Sequence, residues 1–481
     1  MQVALARRTL SPFGLWAFGA AASAPMVVLA GGIPATYATT GVTALPLTFV
    51  LVAATVALLA VGYTAMARQV GHPAAYYGIL AHGLGRRWGV AGGMVALLAY
   101  NSIQISLYGL VGATLAGALG GAWWVWAGLT LTAVGALGVR AIVLSIRVLV
   151  AVLAVSLLIV AVFVAGALSQ PADGGLSWAG FEASGLAVSG IGGAVALCVA
   201  AFMGIDAPGS FAEEAIDRRS ITRASIAGVM VLGAVYSIAA WAMAVAVGPA
   251  QVADAAADPT AGMPFSALER LGSGWAALAD VMLIFAIVTS MLAFHSVIAR
   301  YVFAMAREHV LPAGLAYADS ATRVSAPRGG SLTQTGIAAL VVAAFAAAGA
   351  DPVAVMFTWL STLGALGLLC LLFAASVAAC AASKDVRGPG AWRWSYRGAP
   401  VLGLIGGSVV LGLMVGNVGS LLGAVPGSPY PFLLPVIIVA TAAGGGMWAG
   451  HLRRFRPQVY AGIGRGTPKT HAVPDNVNVS I

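Results

Sequence analysis

Three long stretches of this sequence contain no Asp, Glu, Lys or Arg. They lie between Arg8 and Arg68, between Arg87 and Arg140, and between Arg397 and Arg453. A helix needs about 20 mostly apolar residues to cross the hydrocarbon core of a bilayer, so each stretch has room for two such helices. Only 8% of the residues are charged, against about 25% in soluble domains. The chain is therefore predicted to be an all-α, polytopic membrane protein.

Apolar runs bounded by charged residues, Pro and Gly predict twelve transmembrane helices. Of the 24 Lys and Arg, all but Arg270 then lie on the side of the membrane that holds both chain ends. Cytoplasmic loops are enriched in basic residues, so this predicts a multi-pass protein of the cytoplasmic (inner) membrane with both termini in the cytoplasm. The predicted spans are 12–40, 42–67, 89–118, 122–139, 143–168, 187–211, 224–248, 276–299, 331–350, 353–380, 399–424 and 431–450.

The spans predict a division into repeats. Residues 12–168 hold five spans, and residues 187–380 hold five that run in the opposite sense, which is the geometry of an inverted repeat. Two further spans follow in 399–450. Residues 1–11 form a predicted cytoplasmic N-terminus. Residues 451–481 are polar with Gly, Pro and Asn, and are predicted to be a disordered cytoplasmic tail.

Two spans at matching positions of the halves are interrupted. Span 1 contains "SAPMVVLAGGIP" and span 6 contains "FMGIDAPG". Pro25 is expected to free the carbonyls of Ala21 and Ala22, and Pro208 that of Gly204. Paired interrupted helices indicate a transport site near the bilayer midplane. A helix N-terminus suits a carboxylate and a C-terminus suits an ammonium, so the two breaks predict a zwitterionic substrate, an α-amino acid. The alternative is that Pro and Gly merely kink the two spans.

Asp206 is the acidic residue that the predicted spans place away from a helix end. One interpretation is that it caps the freed N–H groups of a half-helix from Ala207 to Glu214. The other is that it contacts substrate or a proton, because acids within a membrane usually line a cavity or proton path. The stretch "YNSIQISLYG" puts Tyr100, Gln104 and Tyr108 on one helical face, which lines the pocket or packs on a neighbouring helix.

Several functions are disfavoured by what the sequence lacks. It has no G-x-x-x-x-G-K-[ST] of ATP-driven transport, no H-E-x-x-H, no G-x-S-x-G and no Cys/His cluster. We therefore expect no enzyme, no cofactor and no metal centre. The net charge of +9 is explained by basic loops and predicts no nucleic-acid partner. The expected partners are the lipid bilayer and a small-molecule substrate.

Three stretches are similar to a known family. They are "FMGIDAPGSFAEEAIDRRSITRA" at 202–224, "ARYVFAMAREHVLP" at 299–312 with Pro327 beyond it, and "RQVGHPAAYYGILAHGLGRRWG" at 68–89. With the twelve spans, they resemble a bacterial permease of the amino acid–polyamine–organocation (APC) superfamily. The resemblance implies the LeuT-like fold, with two inverted five-helix repeats and two C-terminal helices.

The resemblance also implies that the two breaks hold the substrate. The usual Gly-x-Gly-Ile break of span 1 is replaced here by Ala-Pro-Met-Val, and residues Ala30 to Pro34 would then begin the outer half-helix. This departure implies a differently shaped pocket. The candidate substrate-binding residues are Ser23, Ala24, Pro25, Met26, Val27, Phe202, Met203, Gly204, Ile205 and Asp206 at the breaks, with Tyr100 and Gln104.

The resemblance leaves the coupling ion open between H⁺ and Na⁺, with uncoupled exchange a third possibility. Ser156 occupies the place where many relatives have a Lys that stands in for sodium. Thr289 and Ser290 lie where relatives bind or mimic sodium, and oxygen ligands suit such a hard cation. Asp206 is the candidate for proton coupling.

The predicted function is secondary active transport of an amino acid or related amine by alternating access. A transporter of an inorganic ion or a nucleobase on the same fold is the alternative. A membrane enzyme or a sensor is disfavoured, because the sequence lacks clustered catalytic groups and a soluble output domain.

Overall fold

The computed structural model describes residues 10–139, 146–172, 174–258, 263–317, 327–383, 393–423 and 430–466. These residues form helices and connecting turns, with no strand among them beyond a single bridge between Leu10 and Ala215. The helices are α1 (Pro12–Ala22), α2 (Pro25–Val27), α3 (Ile33–Thr40), α4 (Leu45–Val70), α5 (Ala75–Gly83), α6 (Arg86–Leu119), α7 (Trp123–Val139), α8 (Ile146–Ser169), α9 (Ile191–Ala201), α10 (Arg219–Val247), α11 (Val252–Ala257), α12 (Phe265–Leu271), α13 (Ser273–Arg307), α14 (Arg328–Ala347), α15 (Thr358–Ala382), α16 (Ala399–Leu421), α17 (Tyr430–Phe455) and α18 (Pro457–Gly462).

The prediction of an all-α, polytopic membrane protein is confirmed. In the described residues, 10 helical runs are long and apolar enough to cross a membrane, and α7 and α9 are shorter apolar helices. These elements occupy the twelve predicted ranges, although length alone does not establish a count of twelve. The predicted span 187–211 is α-helical only over Ile191–Ala201, because the Gly and Pro residues after it interrupt the helix.

The helices of the two predicted halves pack against one another. The second span of each half, α4 and α10, lie against each other, and α6 packs on α15 and α13. The two C-terminal helices lie outside this arrangement, α16 against α4 and α17 against α6. Their apolar side chains are accordingly more exposed than those of the central helices, as expected of helices that face lipid.

One end of the bundle is rich in arginine, and we call it the basic end. Here Arg307 contacts Glu213, Arg300 contacts Glu214, and the Arg218 side chain approaches the carbonyl of Arg68. Its position in the cytoplasm stays a prediction. Other basic residues of the predicted tally, and the predicted N-terminus up to residue 9, lie outside the described residues.

The start of the predicted disordered tail is ordered in the structure. Helix α17 continues to Phe455, and α18 covers Pro457–Gly462. Ile463 after it is 4% exposed. The polar composition of this segment conceals two buried apolar side chains, Leu452 and Ile463, and the tertiary contacts that they make outweigh the local bias towards disorder. Residues 467–481 lie outside the described residues.

The close contact between α14 and α13 offers a direct test of how these helices pack. A Cβ at Gly330 would lie 2.4 Å from the carbonyl oxygen of Ala299 in α13, whereas a Cβ at Gly336 meets nothing within 4 Å. We expect Gly330→Ala to lower the free energy of unfolding by about 1–3 kcal/mol through overpacking. Gly336→Ala should leave stability unchanged or raise it slightly, because Ala is the better helix former. Thermal unfolding of the purified variants measures both; equal melting temperatures would contradict the packing.

Candidate functional site

The break in span 1 consists of two residues. Helix α1 ends at Ala22, Ser23 and Ala24 interrupt it, and Ala24 has a left-handed backbone with φ of 44°. The outer half begins at Pro25 and passes through a π-helical turn (Val28–Gly32) into α3. The expectation that this half begins between Ala30 and Pro34 is therefore wrong. Proline is favoured at the first position of a helix, where its missing N–H costs no hydrogen bond.

The carbonyl groups at this break are paired by other parts of the chain. The Ser290 hydroxyl of α13 donates to the carbonyl of Ala22 at 2.6 Å. The carbonyl of Ala21 accepts the N–H of Ala24 at 3.1 Å, and Tyr236 reaches the carbonyl of Ser23 at 3.4 Å. An unpaired backbone group is costly at membrane depth, so these contacts are what allow the interruption.

The break in span 6 is longer. Helix α9 ends at Ala201, turns follow through Asp206, and Ala207–Phe211 form a 3₁₀ helix. The expected half-helix from Ala207 to Glu214 is therefore absent from this described segment. The carbonyl of Gly204 is not left free by Pro208, because it accepts the N–H of Ala207 at 3.0 Å in the tighter 3₁₀ pattern.

The two breaks lie against each other. Gly204 has φ of 101°, and a Cβ there would lie 2.6 Å from the Cβ of Ala22. The Ser23 hydroxyl donates to the carbonyl of Met203 at 2.8 Å, which joins the breaks directly. Glycine is thus required at residue 204 both for its backbone conformation and for the close approach of span 1.

Asp206 lies in the turn of span 6 and does not cap a helix through its side chain. Its carboxylate accepts a hydrogen bond from the Tyr100 hydroxyl, and its main-chain carbonyl accepts one from Tyr63 at 2.8 Å. The ring of Tyr76 lies 4.8 Å from that of Tyr63, and the ring of Tyr301 lies 5.5 Å from that of Tyr100. Asp206 is 7% exposed, and the four tyrosines are buried. We call Asp206 and these four residues the tyrosine cluster.

A cavity of about 180 Å³ begins at the breaks. Ser23, Ala24 and Val27 of span 1 line it, together with Met203 and Ser290. It extends along the outer half of span 1 to Thr39, towards the end of the bundle opposite the basic end. The other substrate-binding candidates are not among its lining residues: Pro25, Met26, Phe202, Gly204, Ile205, Asp206, Tyr100 and Gln104.

Some of the candidates that do not line the large cavity border a smaller one, of about 20 Å³, at the span 6 break. Phe202, Ile205 and Asp206 line it, with Met203 shared between the two cavities. Tyr63 also faces it. Asp206 thus borders the smaller cavity and is not among the residues that line the large one.

Sequence reasoning missed much of the cavity wall. Helix α6 contributes Ile103, Ser106 and Leu107, and α13 contributes Phe294. These α6 residues are spaced i, i+3, i+4 and lie on the face beside that of Tyr100, Gln104 and Tyr108. Helical periodicity therefore predicts that they share one face of the helix. The predicted face was chosen for its polar side chains, whereas the cavity is lined mainly by apolar ones.

Gln104 lies in a separate polar cluster, with His295 of α13 and two residues of α14. Its side-chain oxygen accepts a hydrogen bond from Gln334 at 2.5 Å. Its side-chain nitrogen lies 3.4 Å from the hydroxyl of Tyr108, and Nε2 of His295 lies 2.6 Å from the hydroxyl of Ser331. The structure thus places Gln104 and Tyr108 in helix packing, the second of the two roles considered for that face.

The coupling candidates are dispersed. Ser290 reaches the span 1 break, whereas Thr289 donates to the carbonyls of Phe285 and Ala286 within its own helix at 2.9 Å. Ser156 donates to the carbonyl of Val152 at 2.7 Å. The described residues contain no group of three or more His, Cys, Asp or Glu that could hold a metal ion. The identity of the coupling ion stays a prediction.

The basic end is closed beneath the breaks. The backbone N–H of Leu10 donates to the carbonyl of Glu214 at 3.0 Å, and the N–H of Ile216 donates to the carbonyl of Leu10 at 3.1 Å. Arg300 pairs with Glu214 at 2.8 Å and lies 4.2 Å over the ring of Phe211. These contacts tie the chain before α1 and the chain after span 6 to α13. The cavity therefore extends away from the basic end.

Comparison with known proteins agrees with this architecture. A family model described as "Amino acid permease" matches residues 13–442. No curated protein matches the chain. The crystal structure of a mutant manganese transporter from Eremococcus coleocola has a similar fold, with a TM-score of 0.54 and 17% sequence identity over 94% of this chain and 95% of that one. Because the family model covers most of its length, the chain belongs to the amino acid permease family, within the APC superfamily that its sequence motifs predicted.

Proposed function

We propose that this permease is a secondary active transporter that moves an amino acid or related amine across the cytoplasmic membrane by alternating access. The observation that carries the proposal is the cavity between two helix breaks, closed at the basic end. The large cavity would hold the substrate, and the contacts of Glu214 and Arg300 would open when the substrate leaves on the other side.

The cavity suits a zwitterion with an uncharged side chain. The outer half of span 1 presents its N-terminal end there, beginning at Pro25, and α9 presents its C-terminal end at Ala201. Helix dipoles at these ends favour a carboxylate and an ammonium, respectively. The polar side chains that the described part of the chain contributes to the lining all carry hydroxyls: Ser23, Thr39, Ser106, Ser290, Thr358, Ser361 and Ser420.

A cationic amine fits this cavity less well. The described lining residues include no carboxylate, and the carboxylate of Asp206, which is not among them, is engaged by Tyr100. A second positive charge on the substrate would therefore be desolvated without a partner, which is costly. We accordingly place neutral amino acids ahead of polyamines.

Transport of an inorganic ion is the second candidate, and one observation favours it. The similar crystal structure is that of a manganese transporter. Against it, the described residues that line the large cavity include no Asp, Glu, His or Cys, whereas Mn²⁺ in proteins is held by carboxylate, carbonyl and water ligands. A nucleobase has no particular group in the lining to favour it.

Ligand-dependent stability distinguishes these candidates. A ligand that binds the native state alone raises the melting temperature by mass action. We expect neutral amino acids such as alanine or leucine to raise it, and Mn²⁺, uracil, arginine and putrescine to raise it less or not at all. Each ligand is tested with and without sodium and at two pH values. Stabilisation by Mn²⁺ alone would favour the ion transporter, and uptake by proteoliposomes then confirms the substrate.

The role of Asp206 is tested by substitution. Asp206→Asn retains a side-chain oxygen that accepts from Tyr100 but removes the charge and the titratable proton. If Asp206 handles a proton, we expect Asp206→Asn to lower uptake severalfold and to abolish its pH dependence, while Tyr100→Phe, which keeps the carboxylate but removes a hydrogen-bond donor to it, shifts the pH dependence without abolishing it. Uptake by Asp206→Asn that equals the parent protein at every pH would show that the carboxylate serves as a hydrogen-bond acceptor only.

A further inference from the structure

The carboxylate of Glu308 lies at the basic end, directly after α13, and four donors from three parts of the chain surround it. His72 Nε2 lies 3.1 Å from one carboxylate oxygen, and the Tyr77 hydroxyl donates to the other at 2.5 Å. The backbone N–H groups of Gly464 and Gly466 each donate at 2.8 Å. The Glu308 side chain is 8% exposed. Two of its four donors therefore come from the segment after α18.

This carboxylate is held in its charged form. Burial by itself would raise the pKa of Glu308, but hydrogen bonds from His72, Tyr77 and Gly464 outweigh burial and bring the pKa below its ordinary value. If the C-terminal segment left, the carboxylate would lose two donors while His72 and α5 still covered it. Leaving a buried charged group without hydrogen-bond partners costs free energy, and this cost stabilises the docked position of the segment.

The C-terminal segment is built to dock at this place. Gly464 and Gly466 have φ of 76° and 68°, so both N–H groups turn towards the carboxylate in a conformation that favours glycine. A Cβ at Gly464 would lie 2.6 Å from the Cβ of Ala81 in α5. Ile463 between α18 and Gly464 is buried. Backbone shape, close approach and apolar burial thus coincide within four residues.

Helix α5 links this contact to the tyrosine cluster. Tyr77 contacts Glu308, and the adjacent Tyr76 donates its backbone N–H to the Tyr301 hydroxyl at 2.9 Å. The ring of Tyr76 also packs on Tyr63, which hydrogen-bonds the Asp206 carbonyl. A displacement of α5 at the basic end would therefore move residues around the span 6 break.

We propose that residues 457–466 form a C-terminal latch that holds α5 against α13 and so keeps the basic end closed. Any separation of these two helices has to break hydrogen bonds to one carboxylate, and the latch supplies half of the donors. Its release would favour the state that opens at the basic end. The proposal adds regulation to the transport function proposed above, but it is testable whether or not a substrate is known.

The test compares two glycines two residues apart in the full-length chain. Gly464→Ala places a side chain against Ala81 at a left-handed position, whereas a Cβ at Gly462 meets nothing within 4 Å. The reporter is a cysteine at Ser210, buried in the 3₁₀ helix of span 6, in a protein whose own cysteines are replaced. Labelling by a polar thiol reagent in nanodiscs reports opening of the basic end.

We expect Gly464→Ala to speed labelling of the cysteine severalfold and Gly462→Ala to leave the rate unchanged. Glu308→Gln, which removes the charge at the same place, should act in the same direction as Gly464→Ala. Equal labelling rates in all of these proteins would overturn the latch. A melting temperature for each variant separates latch release from loss of the fold. Failure of the transport proposal looks different, because uptake would be absent in every variant while the labelling difference persisted.

Discussion

Pairing of backbone polar groups at membrane depth is the constraint on which the rest of this structure depends. Each break alone would destabilise the fold, because an unsatisfied backbone group in hydrocarbon costs several kcal/mol. Their polar groups are instead paired within the protein: Ser23 of span 1 donates to the Met203 carbonyl of span 6, and Ser290 of α13 donates to the Ala22 carbonyl. Gly204 allows the close approach that these hydrogen bonds need. The cavity exists because two interrupted helices are held side by side.

The position of Asp206 follows from the same arrangement. Asp206 borders the smaller cavity and not the large one, and Tyr63 and Tyr100 donate hydrogen bonds to its carbonyl and its carboxylate, respectively. The tyrosine cluster in turn contacts α5, whose other face meets the C-terminal latch. The large cavity, Asp206 and the basic end are thus connected through directly packed side chains, and α5 contacts both the tyrosine cluster and the basic end.

How much the sequence predicts depends on whether a feature is local. Charge-free runs locate the membrane helices, and the Pro and Gly residues locate both breaks, because those effects act within a few residues. The starting point of the outer half-helix was misplaced, since Pro25 begins a helix as well as it ends one. The partner of Asp206 could not be derived, because Tyr100 is far away in sequence. Polar side chains indicate the wrong face of α6, because Gln104 on that face packs against α14. The face that lines the cavity is mostly apolar.

The central claim is that the cavity between the two breaks is where the substrate binds, and protection of a cysteine tests it most directly. Ser106 of α6 lines this cavity, whereas Tyr108 on the neighbouring face is buried outside it. In nanodiscs, a polar thiol reagent should label Ser106→Cys, and a neutral amino acid that stabilises the protein should slow that labelling in proportion to its occupancy. Labelling of Tyr108→Cys should be slow with or without the amino acid. A stabilising amino acid that leaves the labelling rate of Ser106→Cys unchanged would place the substrate elsewhere and contradict the account.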